Sequence, residues 1–110
     1  MKMLLFKPEL GTLTRFEYTG PKGINRLLKD NSFNMYTVLI DDIKYRFFVG
    51  SNSFIVPNNI LSLHHASADK RLYGNIVIEA LESTEITAED ILRIKAYIIK
   101  GNKGYMLKFD

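Results

Sequence analysis

The segment Met35–Phe48, MYTVLIDDIKYRFF, constrains the fold of this chain more than any other. Apolar, β-branched and aromatic residues alternate on both sides of Asp41-Asp42. A two-residue turn centred there sets Ile40 opposite Ile43, Val38 opposite Tyr45 and Tyr36 opposite Phe47. That face belongs to a core. The other face pairs Leu39 with Lys44, Thr37 with Arg46 and Met35 with Phe48, a mixture of cation, hydroxyl and apolar surface only half committed to burial. Asp-Asp lacks the glycine that two-residue hairpin turns favour, so a one-residue shift or a longer loop stays open, and a slip exchanges the faces.

The rest of the chain supplies further strands and two helices. Lys2–Lys7 reads as an edge strand ended by Pro8, and it forms a hairpin with Thr12–Tyr18. After Gly20-Pro21, Lys22–Asp30 carries Ile24, Leu27 and Leu28 at helical spacing. A short apolar run, Phe54–Val56, follows the Gly50–Ser53 turn, and Asn58–His65 reads as a short helix. Ala66–Arg71 is polar and reads as loop. Leu72–Ala80, with Ile76, Val77 and Ile78 in succession, suits a strand buried on both faces near the middle of a sheet.

Thr87-Ala88-Glu89-Asp90 is a capping box that opens the helix Ala88–Lys100, with Gly101 placed to stop it. Its apolar arc takes Ile91, Leu92, Ile94, Ile98 and Ile99, with Glu89, Arg93, Tyr97 and Lys100 opposite and Lys95 snorkelling from the arc. Tyr105–Phe109 alternates as a last strand. Together these elements predict a single α+β domain over residues 1–110, a largely antiparallel sheet of five or six strands with both main helices packed on one face.

Composition excludes several chemistries. With 110 residues, 46% of them hydrophobic, the chain can build a core without staples. The absence of cysteine removes disulfides, thiolate catalysis and cysteine-ligated zinc, and it suits a reducing, cytoplasmic setting. The opening MKMLLFKPEL holds four apolar residues in a row, too few for a signal-peptide core or a membrane span. Net charge is +3 and segregated: Glu79–Asp90 has five acids and no cation, Arg93–Lys108 five cations and no acid. The charges of the last predicted helix thus follow its macrodipole. The positive balance argues against a DNA mimic.

No catalytic or cofactor-binding set is visible. His64-His65 are adjacent and point apart on a helix or a strand, so they cannot jointly chelate one metal, and no metal site is expected. Neither histidine has a nucleophile or orienting acid at motif spacing, so an enzyme built on His64 or Lys95 is a distant alternative. No cofactor is expected. Gly20-Pro21-Lys22-Gly23 is not a phosphate loop, but Lys22 and Arg26 at a helix start make an anion site conceivable. Lys44, Arg46, Thr37 and Phe48, with Tyr105 or Lys108 if the last strand lies alongside, match a nucleic-acid platform in composition only.

The order of elements, with Pro57-Asn58-Asn59, Tyr73-Gly74-Asn75 and Ile86-Thr87-Ala88-Glu89-Asp90-Ile91, resembles a family of small uncharacterised phage and plasmid proteins over about residues 2–95. The resemblance implies a mobile-element origin, host cytoplasm as the location, and no established activity. The favoured expectation is a non-enzymatic accessory protein that binds or inhibits a host protein through Met35, Thr37, Lys44, Arg46 and Phe48. The rival is a protein that binds nucleic acid or a nucleotide, with Lys22 and Arg26 among its anion contacts.

Overall fold

The computed structural model describes residues 1–7, 10–52, 61–65, 70–101 and 104–107, with side-chain surroundings for residues up to 52 and for 74–96. It is a single α+β domain. The main sheet holds β1 (Lys2–Lys7), β2 (Thr12–Glu17), β3 (Phe33–Ile40), β4 (Ile43–Gly50) and β7 (Ile76–Ala80), all antiparallel, in the order β2-β1-β7-β4-β3. Helix α1 (Pro21–Leu28) joins β2 to β3, and α2 (Ala88–Tyr97) follows β7. A second sheet contains β5 (Leu61–His65), β6 (Lys70–Tyr73), β8 (Ile98–Gly101) and β9 (Gly104–Leu107), with β5 and β9 parallel.

The β3–β4 hairpin has the register that alternation requires. Ile40 faces Ile43, Val38 faces Tyr45, Tyr36 faces Phe47, and Met35 faces Phe48. Asp41 and Asp42 turn at φ 56° and 62°. Positive φ at both central residues is the turn whose twist matches antiparallel strands, and aspartate tolerates it better than most residues. The open question of register thus closes on Asp41-Asp42.

The two helices lie on opposite faces of the sheet, not on one. Alternate residues of β1 explain why: Leu4 and Phe6 join Val38, Tyr45, Phe47, Ile78, Ile86 and Ile94 under α2, while Met3 and Leu5 join Phe48 and Val77 against Ile24 and Leu28 of α1. Four consecutive buried residues need cover on both sides, and one helix cannot supply it. For the same reason β1 is an interior strand between β2 and β7, and not the edge that the nearby Pro8 suggests.

Other boundaries move. Leu72–Ala80 is two strands broken at Gly74, whose φ of 76° leaves the β region, and only Ile76–Ala80 enters the middle of the main sheet. Leu61–His65 is strand where a helix was expected, and Lys70 and Arg71 begin β6 rather than a loop. Helix α2 yields to β8 at Ile98. Phe54–Val56, Asn58–Ile60, Ala66–Asp69 and Lys108–Phe109 lie outside the described residues.

Candidate protein-binding face and cationic groove

Helix α1 is eight residues long, about 12 Å at 1.5 Å per residue, and so shorter than the strands beneath it. Pro21 starts it, after Gly20 at φ 101°, and its buried residues Ile24 and Leu28 seat it over Phe48, Val77, Leu5 and Met3. Among the described residues no helix covers the remainder of that sheet face. Met35 is 55% exposed and Leu39 56%, with Thr37 and Lys44 exposed beside them. Arg46 reaches from β4 to its cross-strand partner Glu79 on β7, with Nη1 3.9 Å from Oε1.

Four of the five expected binding residues, Met35, Thr37, Lys44 and Arg46, therefore share one accessible patch. Phe48 does not belong to it. Its ring is buried at 4% exposure, edge-on to Phe33 at 5.3 Å between centroids, so it holds α1 in place and cannot meet a partner directly. Leu39, which the reading of this face left out of the binding set, replaces it as the second exposed apolar group.

The main-chain groups at the outer edge of β3 also follow from the register. Lys44 gives its carbonyl to the Leu81 N–H at 3.2 Å, on the β7 side, whereas Ser51 N–H donates to the Ser32 carbonyl at 3.1 Å. Residues opposite one another in antiparallel strands alternate between bonded and non-bonded pairs, so Tyr36, Val38 and Ile40 bond to β4. Met35, Thr37 and Leu39 turn their N–H and C=O outward. Among the described residues no strand pairs with that edge.

The anion-site candidates come together elsewhere. Lys22 and Arg26 lie one turn apart on α1 and line an open groove of about 650 Å³ with Asn25, Lys29, Asp30, Asn31 and Asn52. The one carboxylate among the described lining residues, Asp30, is already engaged, accepting from Asn52 N–H at 2.8 Å, Ser32 N–H at 3.2 Å and Asn52 Nδ2 at 3.4 Å. These bonds, the Asn52 amide first, hold its carboxyl below the ordinary aspartate range. Asn25 Oδ1 is buried in the groove wall and accepts no hydrogen bond from the described residues.

A third polar cluster was missed by reading the sequence. The Tyr45 hydroxyl, inside the α2-side core, donates to Asp90 Oδ1 at 2.5 Å and accepts from Arg93 Nη1 at 2.8 Å, and Arg93 Nη1 also reaches Asp90 Oδ1 at 2.9 Å. Asp90 Oδ2 closes the capping box by accepting from Thr87 N–H at 2.8 Å and Thr87 Oγ1 at 3.0 Å. Burial raises the Asp90 pKa, but the Tyr45, Thr87 and Arg93 contacts outweigh it and leave the carboxyl below its usual range. Burial first, and then Asp90, push the Tyr45 hydroxyl up to about 12. The cluster rotates α2 away from the expected arc: Arg93 turns inward and Leu92 is left 69% exposed. An aspartate with a spare oxygen at a helix start, an arginine three residues on and a core tyrosine needing a partner were the available signals.

Lys95 is exposed at the rim of a hollow of about 330 Å³ lined by Gly11, Thr12, Leu13, Thr14 and Ile91, and among the described residues none that lines it is an acid or a histidine. His64 and His65 lie on β5, their side chains outside the described set. Among the described residues no cluster of histidines and carboxylates could hold a metal ion, and no helix is long and apolar enough to cross a membrane. Comparison with protein-family models, curated proteins and solved structures finds no match to this chain.

Proposed function

We propose that this chain is a non-enzymatic binding protein that docks a partner protein on the part of the β3–β4 face left open by α1. The observation that carries the reading is the pair Met35 and Leu39, both more than half exposed, set beside Lys44 and Arg46 on one face of the sheet. Apolar anchors rimmed by cations suit a partner segment that presents apolar side chains and a carboxylate, since methionine and arginine are favoured in interface cores. We further propose, as the sequence resemblance to small phage and plasmid domains implies, that the partner is a host protein bound or inhibited in the host cytoplasm.

A differential capture experiment tests this. Immobilised chain is exposed to bacterial lysate with and without nuclease, alongside Met35→Asp/Arg46→Glu and, as a control, Lys22→Glu/Arg26→Glu. A protein retained by the parent chain and the groove variant but lost from the face variant supports the reading. Equal retention by both variants removes the face from consideration.

The groove favours a second reading, recognition of a phosphate-bearing ligand by Lys22, Arg26 and Lys29. Three cations on one hollow, with the Asp30 carboxylate beside them already hydrogen-bonded, is the arrangement such a ligand would use. Titration with a short oligonucleotide and with a nucleoside triphosphate should then show affinity falling steeply with salt and lost in Lys22→Glu/Arg26→Glu. Salt-insensitive or unaltered binding would sink this reading.

A further inference from the structure

We propose that two copies of this chain pair through β3, antiparallel and centred on Thr37, to join their main sheets into one ten-stranded sheet. The two edges of the sheet differ in a way that points to this. The edge strand β2 carries Arg15 and Glu17, and charged side chains are how proteins keep an edge from pairing. At the other edge, β3 runs eight residues, FNMYTVLI, with no charge and no proline. An uncharged strand of that length, with outward N–H and C=O on Met35, Thr37 and Leu39, is built to be paired.

The strand is also complementary to itself. Outward-bonding residues must face outward-bonding residues, so a two-fold axis passing by Thr37 sets Thr37 against Thr37 and Met35 against Leu39 of the second copy. The two most exposed apolar side chains of the face thereby become cross-strand neighbours, twice over. The same register carries the Asp41-Asp42 tip of one copy past Phe33 to Ser32 of the other. At that end of the strand lie the cations Lys29 and Arg26 together with Asp30, whose carboxylate is held by Ser32 and Asn52 N–H. Phe33–Ile40 itself carries no charge, so no like charges meet within the paired stretch. Both α1 helices fall on one side of the joined sheet, and the two open faces lie side by side. A single strand pair is a small interface, so association in roughly the micromolar range is expected.

This pairing uses the strand of the proposed docking face but does not depend on a foreign partner. It is tested on the pure chain, whereas the partner reading is tested by capture. Sedimentation velocity across a wide concentration range should show monomer passing to dimer. Because Thr37 faces itself, Thr37→Lys alone and Thr37→Glu alone should each sediment as monomer, and their equimolar mixture should dimerise. Thr37→Pro removes an outward donor and no bond to β4, so it too should be monomeric. Circular dichroism of each variant confirms folding. A parent chain that stays monomeric to millimolar concentration overturns the proposal, as does a Thr37→Lys chain that dimerises normally or a mixture that does not reassociate.

Discussion

Replacing Tyr45 with phenylalanine removes one oxygen atom from a fully buried site and with it two hydrogen bonds, to Asp90 at 2.5 Å and from Arg93 at 2.8 Å. Arg93 keeps Asp90 at 2.9 Å, and Asp90 keeps Thr87, so the helix cap survives. Because Arg93 retains Asp90 as a partner, the uncompensated loss is the hydrogen bond to the charged carboxylate, worth about 1.5–3 kcal/mol. For a chain of 110 residues a loss of about 2 kcal/mol lowers the melting midpoint by roughly 10 °C. Urea unfolding followed by far-ultraviolet circular dichroism measures it directly. The pH dependence follows from the two shifts. The Asp90 carboxyl titrates below its ordinary 3.8, so its contribution is fully present above that value and fades as pH falls through the lower folded-state pKa. Tyr45 is raised from 10 to about 12, so its contribution is present below 10 and lost as pH climbs through 12. The gap between parent and Tyr45→Phe should therefore be widest near neutrality. A gap below about 0.5 kcal/mol at pH 7, or one undiminished in acid, would refute the assignment of this cluster as the clamp between α2 and β4.

Gly50 is closely roofed by Asp30: an added Cβ would stand 2.8 Å from its Oδ2 and 3.0 Å from its Cβ, so Gly50→Ala should cost about 1–3 kcal/mol in the same urea assay. Asp42→Gly places glycine at φ 62° in the hairpin turn and should stabilise the chain by about 0.5–1 kcal/mol, read as a raised melting midpoint. Asp30→Ala should accelerate amide exchange at Asn52 and Ser32, whose N–H groups it now accepts from.

The hairpin was legible because its information is local. Alternation over Met35–Phe48 specifies which residues share a face, and the pairing follows from it. The start of α2 was legible for the same reason, since Thr87 and Asp90 lie three residues apart. The failures concern what one element does to another. Nothing in Met3–Phe6 says which helix covers which side; only the burial of all four residues does. Phe48 looked available because its parity matched Thr37 and Arg46, and parity cannot report that α1 stops partway along the sheet. Tyr45 and Asp90 are 45 residues apart, so their bond, and the roll of α2 that exposes Leu92, leave no local trace.

Amide hydrogen exchange along β3, followed by nuclear magnetic resonance as a function of concentration, tests most directly whether this strand is an interface. At low concentration Tyr36, Val38 and Ile40 should be protected by β4 and Met35, Thr37 and Leu39 should exchange freely. As concentration rises, protection should appear at Met35, Thr37 and Leu39. Exchange at those three amides that is slow from the outset, or indifferent to concentration, would contradict an edge that pairs with a second copy.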